Sequence, residues 1–251
     1  MRQRNLMSLA FVIAIAILAA YIYIYRAVPF SEQWNNILIA FTDPFVTLLA
    51  ALSVTAVLFC YQKDDKPYPV WLYFTLGMWF WVAAETIYAV LYYQLGDVPP
   101  TGWADVCWFI GYGLISVALY HQSQLLYKTK NGWLKLGLIW AGLLLLTRLI
   151  LWLLRSEFST ENFVGYLYPV VDFAIFIFSL RMFMVFGGGK LSRPWMGLLL
   201  LGVSDAIWAW VNLSGGDHSD TFVGDVVYVA AYLILALGFF RQYLLLKYGP
   251  E

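Results

Sequence analysis

Residues 84–105 read AETIYAVLYYQLGDVPPTGWAD, and 120 positions later residues 204–225 read SDAIWAWVNLSGGDHSDTFVGD. Glu85 falls on Asp205, Gly96 on Gly216, Asp97 on Asp217, Thr101 on Thr221 and Asp105 on Asp225. The same offset carries 77–126 onto 197–246 without a gap, pairing Gly77 with Gly197, Tyr112 with Tyr232 and Gln122 with Gln242. Apolar sequence matches leucines by chance, but it does not readily align acids, glycines and a tyrosine in one register. The chain therefore reads as an internal repeat. A slightly different offset sets AFTDPF around Asp43 on YPVVDF around Asp172, which extends the repeat upstream.

The repeated unit belongs in a membrane. Charged residues make up 12% of the chain and aromatic residues 19%, with mean hydropathy +0.72, against about 25% charged in soluble domains. A spanning helix needs about 20 predominantly apolar residues. Eight stretches qualify: 6–25, 36–61, 69–94, 103–127, 132–155, 163–186, 193–214 and 222–246. The first exceeds the roughly 7–15 residues of a signal-peptide core and reads as a retained helix. The expectation is an all-α integral membrane protein with one transmembrane domain over 1–251. Repeat one covers about 1–128 and repeat two about 129–251. Four helices per repeat is an even number, so both halves cross in the same sense and the pseudo-twofold axis runs along the membrane normal.

Orientation follows from the basic residues, which are in excess on the cytoplasmic side. With the amino terminus inside, twelve fall in cytoplasmic segments: Arg2, Arg4, Lys63, Lys66, Lys128, Lys130, Lys135, Arg181, Lys190, Arg193, Arg241 and Lys247. Arg26 and Arg155 fall outside, and Arg148 lies within the fifth segment. Both termini are expected in the cytoplasm, and the Gly96 and Gly216 turns outside.

This topology brings the acids to neighbouring depths. Asp43, Asp105, Asp172 and Asp225 lie near the outer ends of inward-running segments, while Glu85 and Asp205 precede the outer ends of theirs by about nine residues, on the order of 14 Å at the helical rise. Arg148 reaches a similar level. Rings follow three residues after four of the acids, on the same helical face: Tyr88 after Glu85, Trp108 after Asp105, Trp208 after Asp205 and Tyr228 after Asp225. One turn further come Tyr92, Tyr112, Asn212 and Tyr232. The pattern predicts an outward-facing acidic and aromatic vestibule. Its ligand-binding candidates are Glu85, Asp205, Asp43, Asp172, Arg148, Tyr88, Trp208, Tyr92 and Asn212, with Asp105, Asp225, Trp108 and Tyr228 at the periphery.

Ionisable groups in hydrocarbon are costly and are paired or functional. One alternative is therefore structural: Arg148 neutralises acids, tyrosines bond the rest, and the network fixes helix register. Asp105 and Asp225 also fit helix N-terminal capping. Other chemistries find little footing. FGGGK at 186–190 lacks the spacing of a phosphate-binding loop, and DHSD at 217–220 offers a metal only one histidine. No histidine pair suits a bis-histidine haem, and every lysine is at or near a segment end, which disfavours a retinal Schiff base. Cys60 and Cys107 belong to opposite faces, and no nucleophile has a base in register. Neither a cofactor, a bound metal nor enzymatic activity is expected, and the scattered basic residues form no stripe for nucleic acid.

The strings WADVCWFIGY at 103–112, YPVVDF at 168–173 and GDVVYVAAYLILALG at 224–238 resemble the multi-helix membrane input region found ahead of GGDEF diguanylate cyclase domains in bacteria and some archaea. That resemblance implies a sensory role at a prokaryotic plasma membrane. The sequence to Glu251 holds no such output domain, so a separate cytoplasmic signalling partner is expected. Two functions stay open. One is a receptor-like module in the lipid bilayer that binds a small molecule or cation. The other is a proton- or cation-coupled secondary transporter, for which acids at a repeat interface are also natural.

Overall fold

The computed structural model describes residues 2–96, 101–126, 142, 160–187, 193–214 and 221–249. Among the described residues there are seven helices: α1 (Arg2–Ala27), α2 (Glu32–Leu58), α3 (Tyr68–Leu95), α4 (Trp103–Leu126), α5 (Thr160–Val185), α6 (Arg193–Ser214) and α7 (Phe222–Tyr248). Spans within α1, α2, α3, α4, α5 and α7 are long and apolar enough to cross a membrane, six in all. This is the construction of a multi-pass membrane protein. Of the segment expected at 132–155 only residue 142 is described, and Arg148 lies outside the described residues.

Helix ends differ from the apolar runs because backbone hydrogen bonding, not hydropathy, sets them. The run expected at 36–61 is helical over Glu32–Leu58. Ser31 precedes it in extended conformation, so Glu32 and Gln33 join the first turn. After Leu58 the chain tightens, with Cys60 N–H donating to Val57 and Tyr61 N–H to Leu58. At its C-terminus α3 stops on Gly96, which takes φ 72° and donates its N–H to Tyr92. Glycine adopts that left-handed conformation without a Cβ clash.

α3 packs on α4 and α6 on α7, and these are the two most extensive helix contacts among the described residues. α2 packs on α3 and α7, and α5 packs on α6 and α4. The α3–α4 pair is antiparallel, since Tyr73 stacks on His121 at 5.7 Å while Trp108 near the start of α4 bonds Glu85 near the end of α3. A Cβ added at Gly77 would meet Ile115 Cγ1 at 2.7 Å and the Gly111 carbonyl oxygen at 3.0 Å. At Gly197 it would meet Leu235 Cγ at 2.6 Å and the Ala231 carbonyl oxygen at 3.0 Å. Positions 77, 111 and 115 thus make the crossing that 197, 231 and 235 make 120 residues later, and glycine allows the backbones to come that close.

The core runs along these crossings. Val46, Ala50 and Val54 of α2 are fully buried, as are Phe74 and Met78 of α3, Leu198 of α6, and Leu235 and Phe239 of α7. Phe74 meets Phe239 edge-on at 5.0 Å and Trp195 at 6.2 Å, arrangements that aromatic quadrupoles favour. α1 is different in kind, because Leu9, Phe11, Val12, Ile13 and Ile15 are all exposed, as a face turned to lipid requires. It is held at its ends. Gln3 Nε2 donates to the Gly249 carbonyl at 2.8 Å, and Tyr25 OH donates to Asp225 Oδ2 at 3.0 Å.

Candidate functional site

Above this core, toward the Gly96 end of the bundle, lies a cavity of about 290 Å³ lined by residues of α3, α4, α5, α6 and α7. Its floor is Trp81, Leu201 and Tyr232, which are 3%, 5% and 1% exposed. One turn deeper on the same helices stand Met78, Leu198 and Leu235, each fully buried, so the floor is closed. The walls carry Trp108, Tyr112, Tyr168, Trp208 and Tyr228, and the carboxylates of Asp105 and Asp205.

The rings brace one another. Trp81 meets Tyr112 edge-on at 5.2 Å and Tyr232 at 6.2 Å, and Tyr228 meets Tyr232 edge-on at 5.0 Å. Tyr168 stacks on Phe109 at 4.7 Å and crosses Trp108 at 6.4 Å. Aromatic quadrupoles favour edge-to-face contact, so the rings hold one another in place around the cavity.

Hydrogen bonds join the acids to rings on other helices. Glu85 Oε1 accepts from Trp108 Nε1 at 3.0 Å and from Tyr228 OH at 2.5 Å. Tyr112 OH donates to Asp172 Oδ1. Asp105 accepts Tyr168 OH at 2.6 Å and the Gly102 N–H at 2.8 Å, so it both braces the cage and holds a free N–H at the start of α4. Asp225 accepts from Tyr25 and from Thr221 Oγ1. Asp43 Oδ1 is buried with no hydrogen-bond partner among the described residues.

The residues singled out by sequence therefore divide. Asp205, Trp208, Asp105, Trp108 and Tyr228 line the cavity. Glu85 and Asp172 stand behind it, bonded to residues that line it. Tyr88 is 39% exposed and does not line the cavity, and its ring meets Trp108 at 5.7 Å. Tyr92 is 37% exposed and lines a separate cavity of about 190 Å³ with Gln33, Asn36 and Tyr93. Asn212 belongs to α6, but its side chain lies outside the description, as does the whole of Arg148. Trp81, Tyr168 and Leu201 were not anticipated. Each stands four residues before an acid (Glu85, Asp172 and Asp205), and a search one turn back as well as one turn forward finds them, because i and i−4 share a helical face.

What the arrangement offers is acidic side chains and ring faces around one cavity. Among the described residues no group of three or more His, Cys, Asp or Glu side chains is arranged to hold a metal ion, and no Lys, Arg or His lines the cavity. Aromatic walls with carboxylates suit an organic cation, whose charge rests on ring quadrupoles while the acids balance it.

Fold and site together define a multi-pass helical membrane protein with an acidic aromatic cage between its helices. No family model, curated protein or solved structure matches the chain.

Proposed function

We propose that the protein is a membrane sensor module that takes a small organic cation into the cage. The observation that carries this reading is the cavity itself: seven aromatic side chains and two carboxylates around about 290 Å³. The three strings that resemble the input region of diguanylate cyclases supply much of its lining. Asp105, Trp108 and Tyr112 come from the first, Tyr168 from the second, and Tyr228 and Tyr232 from the third. A sensory role is thus supported at the place where a signal would bind, and output passes to a separate cytoplasmic partner.

The architecture that accompanies this reading is eight spans in two parallel four-helix repeats. The matched crossings at Gly77 and Gly197 support it, and so do the matched neighbours of α2 and α5. Both termini face the cytoplasm of a prokaryotic plasma membrane, by the distribution of lysine and arginine, and the cage opens outward.

Choline and its neutral isostere 3,3-dimethylbutan-1-ol test the proposal, because they share shape and differ in charge. Calorimetric titration of the purified protein is expected to show choline binding at least about thirtyfold more tightly, the equivalent of one desolvated cation–π contact of about 2 kcal/mol. Equal affinity for the two, or no binding of either, overturns the cationic reading.

A further inference from the structure

Two indoles of the cage sit where the neighbouring helix has no Cβ. Trp81, in the floor, lies against Gly111 of α4, where an added Cβ would fall on the indole Cδ1 and within 2.5 Å of its Nε1. The same Nε1 donates to the Trp108 carbonyl at 3.3 Å, so the ring rests on the backbone of α4. Trp208, in the wall, lies against Gly224 of α7, where an added Cβ would meet the indole Cδ1 at 3.0 Å and Nε1 at 3.3 Å. Ser204 Oγ donates to the Gly224 carbonyl at 2.8 Å and ties α6 to α7 at that point.

In the 120-residue register each of these pairs meets the opposite choice. Trp81 and Gly111 correspond to Leu201 and Ala231, while Trp208 and Gly224 correspond to Tyr88 and Ala104. An indole in the cage goes with glycine; a leucine, or a tyrosine that does not line the cavity, goes with alanine. The helix crossing does not itself demand glycine at 111. Ala231 carries its Cβ fully buried at the matching crossing with Gly197. What the missing Cβ at 111 admits is the ring of Trp81.

We propose that Gly111 is a specificity-determining residue of the cage: by seating Trp81 on α4 it sets the depth of the floor, and with it the largest organic cation that the cavity accepts. The inference rests on the cationic reading above and adds a size limit to it. Trp81→Leu together with Gly111→Ala gives the first half the pair that the second half already carries, and releases ring volume to a guest.

The seat is tested without ligand by a cycle of thermal unfolding in detergent over Gly111→Ala, Trp81→Leu and the double variant. Gly111→Ala overpacks the indole, so it should lower the melting temperature of the native protein more than that of Trp81→Leu. An equal fall in both backgrounds, or none, overturns the seat. Selection is tested by calorimetric titration of the native protein and the double variant with tetramethylammonium and tetraethylammonium, which share charge and differ in bulk. The affinity ratio should move toward the larger ion by at least about tenfold in the double variant, the low end of what one methylene decides in an apolar pocket. An unchanged ratio, with both ions bound, overturns the size limit and leaves Gly111 a packing residue. Failure of either ion to bind the native protein or the double variant overturns the organic-cation reading and the size limit with it, while the unfolding cycle decides the seat by itself.

Discussion

Glu85 on α3 and Asp205 on α6 stand 120 residues apart in matching sequence, yet their surroundings differ. Glu85 is 4% exposed and does not line the cavity, and its Oε1 takes two donors, an indole from α4 and a phenol from α7. Asp205 lines the cavity, beside Leu201 and Trp208 of its own helix. One methylene separates the two side chains. The longer acid reaches between helices and is consumed by donors there, so it pins the bundle. The shorter one stops at the cavity wall. The two acids match in sequence, and the donors around each decide which one is held between helices and which faces the cavity.

The harshest way to break this contrast is to delete the pin. Glu85→Ala leaves the Trp108 N–H and the Tyr228 OH without their acceptor, and a buried donor left unpaired costs about 1–3 kcal/mol. The expected loss is thus about 2–6 kcal/mol, read as a large fall in thermal stability in detergent. Glu85→Gln keeps an acceptor oxygen and should lose far less. An unchanged melting temperature for Glu85→Ala would mean that Glu85 pins nothing.

Asp205→Asn probes the other side. It retains size and hydrogen-bonding capacity, so the fold should persist, while choline binding weakens by about 2–5 kcal/mol, the usual cost of removing one member of a buried charge pair. Glu85→Gln in the same assay should have the smaller effect on affinity. A reversal of that order would assign the ligand to the first acid and the structural role to the second.

The contrast was only half legible in the sequence. Apolar length marked out the seven described helices, and the 120-residue register singled out Glu85, Asp205, Asp105 and Asp225, because periodicity and spacing report neighbours on one helix. They do not report which side chain an acid meets across the bundle. The rings sharing a face with Asp105 and Asp225, Trp108 and Tyr228, both donate to Glu85. Tyr168 reaches Asp105 across 63 residues, and Tyr112 reaches Asp172 across 60. Such partnerships depend on helix rotation and crossing distance, which close-packed glycines set. Tyr92 shows the opposite error: it follows Glu85 by two turns, but the face has drifted by then and its ring belongs to another cavity.

Those glycines give the smallest expected effect and a test of how alike the two halves are beneath the acids. At Gly77 the closest obstacle to a Cβ is a side-chain atom, Ile115 Cγ1 at 2.7 Å, and the nearest backbone atom is the Gly111 oxygen at 3.0 Å. At Gly197 the obstacles are Leu235 Cγ at 2.6 Å, the Leu235 backbone nitrogen at 2.9 Å and the Ala231 oxygen at 3.0 Å. Side chains shift more cheaply than backbone, and overpacking a tight site costs about 1–3 kcal/mol. Gly197→Ala should therefore fall at the upper end of that range and Gly77→Ala at the lower, both read by thermal unfolding in detergent. Gly197 lies one turn below Leu201 in the cavity floor, so forcing α6 from α7 should also loosen the cage and weaken choline binding more than the same change at Gly77. Equal losses of stability and affinity in the two variants would show that the halves differ only at the acids. A larger loss at Gly77 would place the tighter crossing, and the stiffer wall of the cage, in the first half.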